Sequence, residues 1–495
     1  EAKRYLLLIN ENQTKYDNKK VILISLLMLT QIVFSMFVDD IYLLIPSSVL
    51  AVFTLNYVHF NKKKAIKPLV VTSRIKRLSF VSYLLLSIFF YWIISLTSIS
   101  YLSLFLLLVM ILVDLWFDYL FVVFLYVSYP IEYLVRSYYI FKAKRKLNKI
   151  KPIIIAITGS YGKTTTKNII HNILSRKYRV LATKESYNTV MGITRTINEN
   201  LNKLHEILIL EVGVDKVGGM DKFKKLITPD YVVVTAIGKQ HLTTFKNVDN
   251  IVKEKTKLID FMKEEGVAFI NVGSPHLKLY QNPSKKIIRY SIKGDSDVLV
   301  SDCKYSVNGT SFDFKYLDYS LHFNTSLLGK HMLEDVIAGI IVGIHFKVDL
   351  SEIKQSVSYL KSVPHRMELK RLGNWTLIDD SYNSNPEGFK EALEVLKMFP
   401  SIRVLITPLL VELSSQRVSV LNDLACKTSK CVDEVVLTSK ESSLPFIDGL
   451  IENGFNIENI KSFNSFIEGF NYLHSKYQHE KITLLIANDL PDYVL

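Results

Sequence analysis

The stretch Ile153-Ile-Ile-Ala-Ile-Thr-Gly-Ser-Tyr-Gly-Lys-Thr-Thr-Thr-Lys167 decides the fold of this 495-residue chain. Its apolar first part predicts a buried strand, and the remainder predicts a glycine-rich turn that opens a helix. Backbone N–H groups in such a turn, together with the positive end of the helix, bind anionic oxygens. The stretch therefore predicts a nucleotide phosphate site with ATP as its ligand. A helix-entry turn that binds nothing is the alternative interpretation.

The polar residues of this turn have distinct predicted roles. Lys163 supplies a cation to the phosphates, and Thr164 offers a hydroxyl to Mg²⁺. Ile157 stands where the common Gly-x-x-x-x-Gly-Lys form has its first glycine, so the form here is the shorter Thr-Gly-x-x-Gly-Lys-Thr-Thr. The candidate nucleotide-binding residues of the turn are Gly159, Ser160, Gly162, Lys163, Thr164 and Thr165.

Downstream of the turn, short β-branched runs alternate with helical patterns, which predicts an α/β fold with a mostly parallel sheet. Residues 285–323 are shorter and more polar, and they predict a small antiparallel insertion. The alternation starts again after residue 363, so we expect a central ATP-binding domain at 151–363 and a Rossmann-like C-terminal α/β domain at 364–495. The predicted strands are 153–157, 206–211, 231–235, 267–271, 375–378, 403–407, 434–437 and 482–486.

Upstream, residues 1–150 have a different composition. They contain four long apolar runs, which predict a region of four transmembrane helices. A re-entrant hairpin formed by the first two runs is the alternative. The runs are residues 21–38, 41–58, 80–97 and 101–127.

Basic residues between and after these runs predict the orientation. Lysine and arginine cluster in 61–77 and 136–151, which places the N-terminus and the catalytic domains in the cytoplasm of a multi-pass membrane protein. Binding to anionic lipid headgroups would account for much of the net charge of +14, so we do not expect a nucleic-acid partner. The three cysteines lack Cys-x-x-Cys spacing, which predicts reduced, structural thiols.

Further motifs follow the glycine turn in a fixed order. They are Glu185-Ser-Tyr-Asn-Thr-Val-Met-Gly-Ile-Thr194, Leu210-Glu-Val-Gly-Val214, Thr235-Ala-Ile-Gly-Lys-Gln-His-Leu242, Val252-Lys-Glu-Lys-Thr-Lys257, Val363-Pro-His-Arg-Met-Glu368 and Ile378-Asp-Asp-Ser-Tyr-Asn-Ser-Asn-Pro386. This series resembles the Mur ligase family, nearest its D-alanyl-D-alanine-adding branch. The resemblance covers about 345 residues of the chain.

The resemblance implies an enzyme that activates a carboxylate with ATP as an acyl phosphate and then forms an amide with an amine. It implies that Thr164 and Glu211 hold one Mg²⁺ and that His241 serves a second, so we expect two Mg²⁺ sites. Lys255 matches a lysine that many members carry as a carbamate. Asn188 and Thr189 match the loop that faces the acyl substrate and the γ-phosphate. The implied catalytic residues are Lys163, Asn188, His241 and Lys255.

Three of these assignments have a structural alternative. His241 could be a hydrogen-bonded loop histidine, Lys255 an exposed lysine, and Asn188 part of a plain turn. In the C-terminal half, the resemblance implies that Arg366 reaches back to the ATP phosphates and that Asp380 accepts from the ribose hydroxyls. Asn383 and its neighbours would flank the adenine, and a helix N-cap in the same segment before Pro386 is compatible with this role.

Three features depart from the family pattern. Met332 and Asp335 replace asparagines near the expected adenine site, and Ala487-Asn-Asp-Leu-Pro-Asp-Tyr493 replaces a Lys-Gly-Ser-Arg-type loop. The predicted membrane spans stand where the soluble enzymes have a domain for the uridine diphosphate group. Recognition of adenine, amine and acyl substrate could therefore differ from the family's.

The favoured function is an amide-forming ligase for a cell-envelope molecule, with a muramyl peptide and an amino acid or D-alanyl-D-alanine as substrates. A ligase for a lipid-linked precursor or a poly-amino-acid polymer is the second hypothesis. A membrane scaffold with residual ATP binding and an ATP-driven transporter are the others. Expected partners are the substrates and membrane lipids, and contacts with other cell-envelope enzymes stay open.

Overall fold

The computed structural model describes residues 72–96, 117–184, 186–238, 240–382, 385–410, 417–439 and 443–488. The described residues up to Tyr138 belong to one compact unit, and those from Tyr139 onward belong to a second. The first unit contains helix α1 (Ser73–Leu96) and most of helix α2 (Phe117–Ile150). The last part of α2 belongs to the second unit, where Ala143 and Leu147 are buried among core residues.

The four predicted membrane spans are contradicted in the described part of the chain. No helix there is long and apolar enough to cross a bilayer. The predicted fourth run ended at residue 127, whereas helix α2 continues from Phe117 through Pro130 to Ile150 and includes the basic segment. The predicted multi-pass localisation is wrong on the same finding. The predicted runs 21–38 and 41–58, and most of 101–127, lie outside the described residues.

The second unit begins with a six-stranded parallel sheet in the order β2-β3-β1-β4-β5-β6. Strand β1 lies centrally, paired with β3 on one side and β4 on the other. Ile157 pairs with Glu211 and Thr158 with Val234, so the ends of these three strands meet at one sheet edge. The strands are β1 (Ile153–Thr158), β2 (Val180–Ala182), β3 (Ile207–Glu211), β4 (Tyr231–Val234), β5 (Val267–Asn271) and β6 (Lys286–Tyr290).

Helices cover both faces of this sheet, as its β-branched strands require. Ile155 and Ile157 pack in one apolar cluster with residues of α3 and α8. Ile154 and Ala156 point the other way and share a cluster with residues of α2, α4 and α7. The helices are α3 (Lys163–Leu174), α4 (Val190–Asn200), α5 (Asp221–Lys224), α6 (Leu242–Phe245), α7 (Val248–Asp260), α8 (Lys330–His345) and α9 (Leu350–Ser358).

The predicted antiparallel insertion is smaller than expected. It consists of β7 (Leu299–Ser306), β8 (Gly309–Tyr316) and β9 (Tyr319–Thr325), which form a three-stranded sheet. Residues 286–290, which the sequence assigned to it, instead extend the main sheet by pairing parallel with β5. A short apolar run does not reveal which neighbour a strand will pair with, and this explains the difference.

The C-terminal part contains a second six-stranded sheet in the order β10-β11-β15-β12-β13-β14. Only β10 runs antiparallel to its neighbour, and the other pairs are parallel. The strands are β10 (Glu368–Leu372), β11 (Trp375–Asp380), β12 (Ile402–Thr407), β13 (Glu434–Leu437), β14 (Ile460–Ser462) and β15 (Ile482–Ala487). The helices are α10 (Pro386–Lys397), α11 (Arg417–Thr428), α12 (Leu444–Glu452) and α13 (Phe466–Lys476), with a 3₁₀ turn at Ile457–Asn459.

Candidate active site

The glycine turn after β1 folds into a loop that helix α3 continues. Gly162 is the N-cap of α3 and has a φ of 80°, a conformation that glycine adopts without strain. The N–H groups of Ser160 and Tyr161 donate to the carbonyl of Ala236, which fixes the loop against the segment after β4. Lys163 Nζ donates to the carbonyl oxygens of Gly159 and Ser160, each at 2.9 Å. These hydrogen bonds hold the loop against the segment after β4 and against the side chain of Lys163.

Glu211, at the end of β3, is 1% exposed and is the centre of a polar cluster next to this loop. Its Oε2 accepts hydrogen bonds from Thr164 Oγ1 at 3.0 Å and Lys167 Nζ at 3.2 Å. Its Oε1 accepts from Asn188 Nδ2 at 3.3 Å. A carboxylate beside a threonine hydroxyl supplies the hard oxygen ligands that Mg²⁺ prefers, so these residues fit a magnesium ion.

Lys167 was absent from the candidate site residues. It lies on α3 one helical turn after Lys163, is 1% exposed and forms an ion pair with Glu211. The i, i+4 spacing of the two lysines could have indicated that they share a helix face. A buried carboxylate needs a counter-charge, and Lys167 provides it.

Lys255 lies inside the protein, on the other side of the glycine loop. Its Nζ donates to the carbonyl of Gly159 at 2.8 Å, and the residue is 1% exposed. Burial, with Lys163 nearby, holds the pKa of Lys255 well below its usual value. The structure therefore does not support the alternative of an exposed lysine. Burial also lowers the pKa of Lys163, to about 8, against the opposing effect of Glu211.

Asn188 and Thr189 have different roles in the loop before α4. Asn188 faces Glu211, and its carbonyl accepts from the N–H of Gly213 at 2.8 Å. Thr189 is the N-cap of α4, where its hydroxyl accepts from the N–H of Gly192. The structure therefore brings Asn188 into the candidate site, whereas Thr189 caps a helix.

His241 lies between β4 and α6, in the segment that follows the Ala236 anchor of the glycine loop. Its φ is 52°, and its carbonyl accepts from the N–H groups of Thr244 and Phe245 at 3.0 Å each. The residue thus caps a short helix with its backbone. A metal contact of its imidazole stays a prediction.

Asp335 on α8 approaches the glycine loop from the far side of α3. Its Oδ1 accepts from Thr166 Oγ1 at 2.7 Å, and a Cβ on Gly162 would lie 2.5 Å from the same oxygen. Burial raises the pKa of Asp335 well above its usual value. Asp335, which the sequence placed near the adenine site, therefore packs against the glycine loop and helix α3. Met332 is a partly buried apolar residue that packs against the core.

The region around the second sheet adds Arg366, Asp380 and Tyr382. The Arg366 guanidinium carbon lies 4.5 Å from the ring centroid of Tyr382. Asp380 Oδ1 accepts from the N–H of Met367 at 3.2 Å, and burial raises the pKa of Asp380 to about 7. The positive charge of Arg366 lowers the pKa values of both Lys163 and Asp335. The guanidinium therefore lies close enough to the loop to interact with its charged groups. Asn383 lies outside the described residues.

A second polar cluster lies beside Arg366. His365, Glu368 and Asp379 offer ligand atoms within 4.8 Å of one another, a spacing compatible with a metal ion. However, Lys370 Nζ lies 2.7 Å from Asp379 Oδ2 and 3.0 Å from Glu368 Oε2. Lys370 thus contacts both carboxylates, and we assign this cluster no role in the candidate site.

The comparisons with known proteins agree with this geometry. Residues 157–343 match the family model of the Mur ligase middle domain. The chain is 32% identical over 254 residues to the UDP-N-acetylmuramoyl-tripeptide--D-alanyl-D-alanine ligase of Bacillus subtilis (strain 168), a match that covers 51% of this chain and 54% of that protein. The chain thus spans about half the length of this curated relative.

Two solved structures show the fold. A MurF crystal structure from Acinetobacter baumannii has a TM-score of 0.63 at 22% identity, covering 72% of this chain and 77% of that one. The MurF ligase from Thermotoga maritima in complex with ADP also has a TM-score of 0.63, at 23% identity, covering 71% of this chain and 80% of that one. The α/β part of the chain therefore has the fold of these structures.

Proposed function

We propose that this chain is an ATP-dependent ligase of the Mur family that joins a carboxylate to an amine in peptidoglycan precursor synthesis. Relatives named for the muramoyl-tripeptide and D-alanyl-D-alanine reaction support those two compounds as substrates. The observation that carries the proposal is the buried Glu211, hydrogen-bonded to Thr164 beside a glycine loop of the phosphate-binding type. No finding favours a lipid-linked substrate.

The reaction has two chemical steps. The substrate carboxylate attacks the γ-phosphorus of ATP, which forms an acyl phosphate and releases ADP. The amine then attacks the acyl carbon, and the resulting tetrahedral intermediate expels inorganic phosphate to leave the amide. Negative charge grows on phosphoryl oxygens in the first step and on the acyl oxygen in the second, so the site must supply positive charge and N–H donors.

Residues of the central domain meet the requirements of the first step. The N-terminus of α3 would face the phosphates, and Lys163 would add a cation. Thr164 and Glu211 would hold Mg²⁺, which would supply positive charge to the phosphates. Asn188, which is hydrogen-bonded to Glu211, would contact the acyl group or the γ-phosphate.

The C-terminal domain would complete the nucleotide site. A guanidinium fork such as that of Arg366 matches the geometry of phosphate oxygens, and Asp380 can accept from the ribose hydroxyls. The proposal has four further parts. Lys255 would carry a carbamate, His241 would bind a second Mg²⁺, and Asn383 would contact the adenine. The two domains would divide near residue 363. Lys255 suits carbamate formation because its lowered pKa favours the neutral amine that adds to CO₂ with loss of a proton.

The test is phosphate release from ATP and Mg²⁺ by the purified full chain, supplied with UDP-N-acetylmuramoyl-tripeptide and D-alanyl-D-alanine. We expect release only with both substrates present, and a product whose mass corresponds to the amide. Lys163→Ala should reduce the rate by about 10²-fold or more because it removes a charge from the phosphate site. Lys203→Ala, at an exposed lysine, is the matched control.

Hydrolysis of ATP that does not depend on the two substrates would contradict the proposal. So would equal rates in Lys163→Ala and Lys203→Ala. Product formation with a different acyl compound or amine, at an unchanged requirement for Lys163, would retain the ligase and reassign its substrate.

A further inference from the structure

We propose that Tyr382 is a positioning residue that couples Arg366 to the loop carrying Asn188. Its hydroxyl donates a hydrogen bond to Ser186 Oγ at 2.8 Å, across from the C-terminal domain to the central domain. The face of the same ring lies under the Arg366 guanidinium at 4.5 Å. One side chain therefore contacts both a phosphate-binding candidate and the substrate-side loop.

The Arg366 end of this connection is built rigidly. His365 and Met367 on either side have φ values of 62° and 49°, which fold the chain into a tight turn. His365 Nδ1 lies 2.9 Å from Asp379 Oδ2, and the N–H of Tyr382 donates to the carbonyl of His365 at 3.2 Å. The backbone of Tyr382 is thus tied to the turn that presents Arg366, and the ring and guanidinium keep their relative placement.

The Ser186 end leads directly to the candidate metal ligand. The N–H of Asn188 donates to the carbonyl of Ser186 at 2.7 Å, and Asn188 Nδ2 contacts Glu211 Oε1. A change at Ser186 therefore reaches Glu211 through two hydrogen bonds. The turn at residues 186 to 188 is also held by the N–H of Tyr187, which donates to the Lys184 carbonyl at 3.0 Å. The hydroxyl of Tyr382 adds an anchor from a distant part of the chain, at the side chain of Ser186.

This arrangement predicts a division of labour within one side chain. The ring supports Arg366 and so contributes to nucleotide affinity. The hydroxyl orients Asn188 and so contributes to the acyl-transfer rate. The inference rests on the proposed function in taking Arg366 as a phosphate contact and Asn188 as a substrate contact.

The test compares three variants of the full chain. Tyr382→Phe keeps the ring and removes the hydroxyl, Ser186→Ala removes the acceptor, and the double variant removes both. Loss of one such hydrogen bond should lower kcat by about tenfold in each single variant. The double variant should lose no more than either single one, because both changes break the same contact. Affinity for ADP should change less than about twofold in all three.

Two further measurements separate this role from general destabilisation. Amide hydrogen exchange at residues 186–188 should quicken in Tyr382→Phe while exchange in α7 stays unchanged. Tyr382→Leu should in addition weaken ADP binding, because a leucine cannot support the guanidinium through its π face. Tyr359→Phe, at a tyrosine that is 71% exposed, is the control for loss of a phenol hydroxyl.

Additive rate losses in the double variant would overturn the coupling, as would unchanged exchange at residues 186–188. ADP binding and hydrogen exchange require no ligase substrates. If the proposed substrates are wrong, these two readouts still report on Tyr382, and a failure of the ligase assay alone identifies a failure of the proposed function.

Discussion

Lys167 Nζ lies 3.2 Å from Oε2 of Glu211, and each side chain is 1% exposed. The same carboxylate accepts hydrogen bonds from Thr164 and Asn188, so both of its oxygens have partners. Such a pair adds little to stability compared with apolar residues, yet removal of one partner leaves a buried charge. The ion pair therefore holds the Glu211 carboxylate in position next to the phosphate loop.

Lys167→Met should therefore lower the free energy of unfolding by about 3–5 kcal/mol, measured by urea denaturation. Adding Glu211→Leu should restore much of that loss, because no unpaired charge remains, while nucleotide-dependent Mg²⁺ binding disappears. Arg195→Met is the control at a surface pair whose side chains are 60% and 55% exposed, and it should change stability by less than about 1 kcal/mol. A Lys167→Met protein as stable as this control would refute the role of the ion pair.

Gly162→Ala should lower the free energy of unfolding by more than the left-handed backbone conformation of Gly162 alone explains. Gly162 and Gly294 share a φ of 80°, but a Cβ at Gly162 would meet Asp335 Oδ1 at 2.5 Å, whereas nothing lies within 4 Å at Gly294. Gly294→Ala should lose about 1–2 kcal/mol from the left-handed conformation. Gly162→Ala should lose more and should bind ADP weakly or not at all, measured by calorimetry. Equal losses of unfolding free energy in the two variants would show that the Asp335 side chain moves away from the new methyl group at little cost.

The raised pKa of Asp380 makes stability depend on pH in a defined direction. Its folded-state pKa of about 7 exceeds the ordinary value of 3.8, so between these values the folded state binds more protons than the unfolded state. Its contribution to stability is complete below pH 3.8 and is lost as the pH rises through 7. The slope should not exceed about 1.4 kcal/mol per pH unit.

Asp380→Asn should remove that slope from urea denaturation curves recorded between pH 5 and pH 8, a range of about three units that spans the transition. Asp318→Asn, at an exposed carboxylate, should leave the slope as it is. An identical pH dependence in the unmodified chain and Asp380→Asn would show that this carboxyl titrates in its ordinary range.

Lys255→Met should reduce ligase activity and ADP affinity together. The substitution removes the ammonium or carbamate beside the loop and leaves the Gly159 carbonyl with one of its two lysine donors, Lys163. Lys253→Met, on the exposed face of the same helix, should leave both quantities unchanged. A carbon-13 resonance in labelled bicarbonate that Lys255→Met abolishes would identify the carbamate, and its absence would leave Lys255 as a loop support only.

The sequence predicted strands β1, β3 and β4 and the residues at their shared sheet edge, but it did not predict β2 or the parallel pairing of β6. β-branched runs predicted β5 and β13 with their observed bounds, Val267–Asn271 and Glu434–Leu437. The glycine loop, Glu211 and the segment before His241 follow three adjacent parallel strands, which brings them together through topology alone. The local sequence pattern was therefore enough to predict that the glycine loop, Glu211 and the segment before His241 lie together.

Contacts that depend on packing between distant elements could not be predicted in this way. Asp335 lies 169 positions from its partner Thr166, and Tyr382 lies 196 positions from Ser186. Neither pair leaves a periodic signal in the chain. Hydropathy also misled the prediction of membrane spans, because an apolar run in the sequence does not establish a helix that is long and apolar enough to cross a bilayer, and the described residues contain none.

The last turns of α2 bear on how a working fragment of this protein should be designed. Ala143 and Leu147 are buried with Ile193 and Ile197, Lys146 Nζ donates to the Asn198 carbonyl, and Asn198 Nδ2 donates to the Tyr139 carbonyl. A fragment that starts at β1 would expose this apolar surface and lose both hydrogen bonds. Expression boundaries for crystallisation or screening therefore belong before Tyr139, where the helix can still cover the sheet.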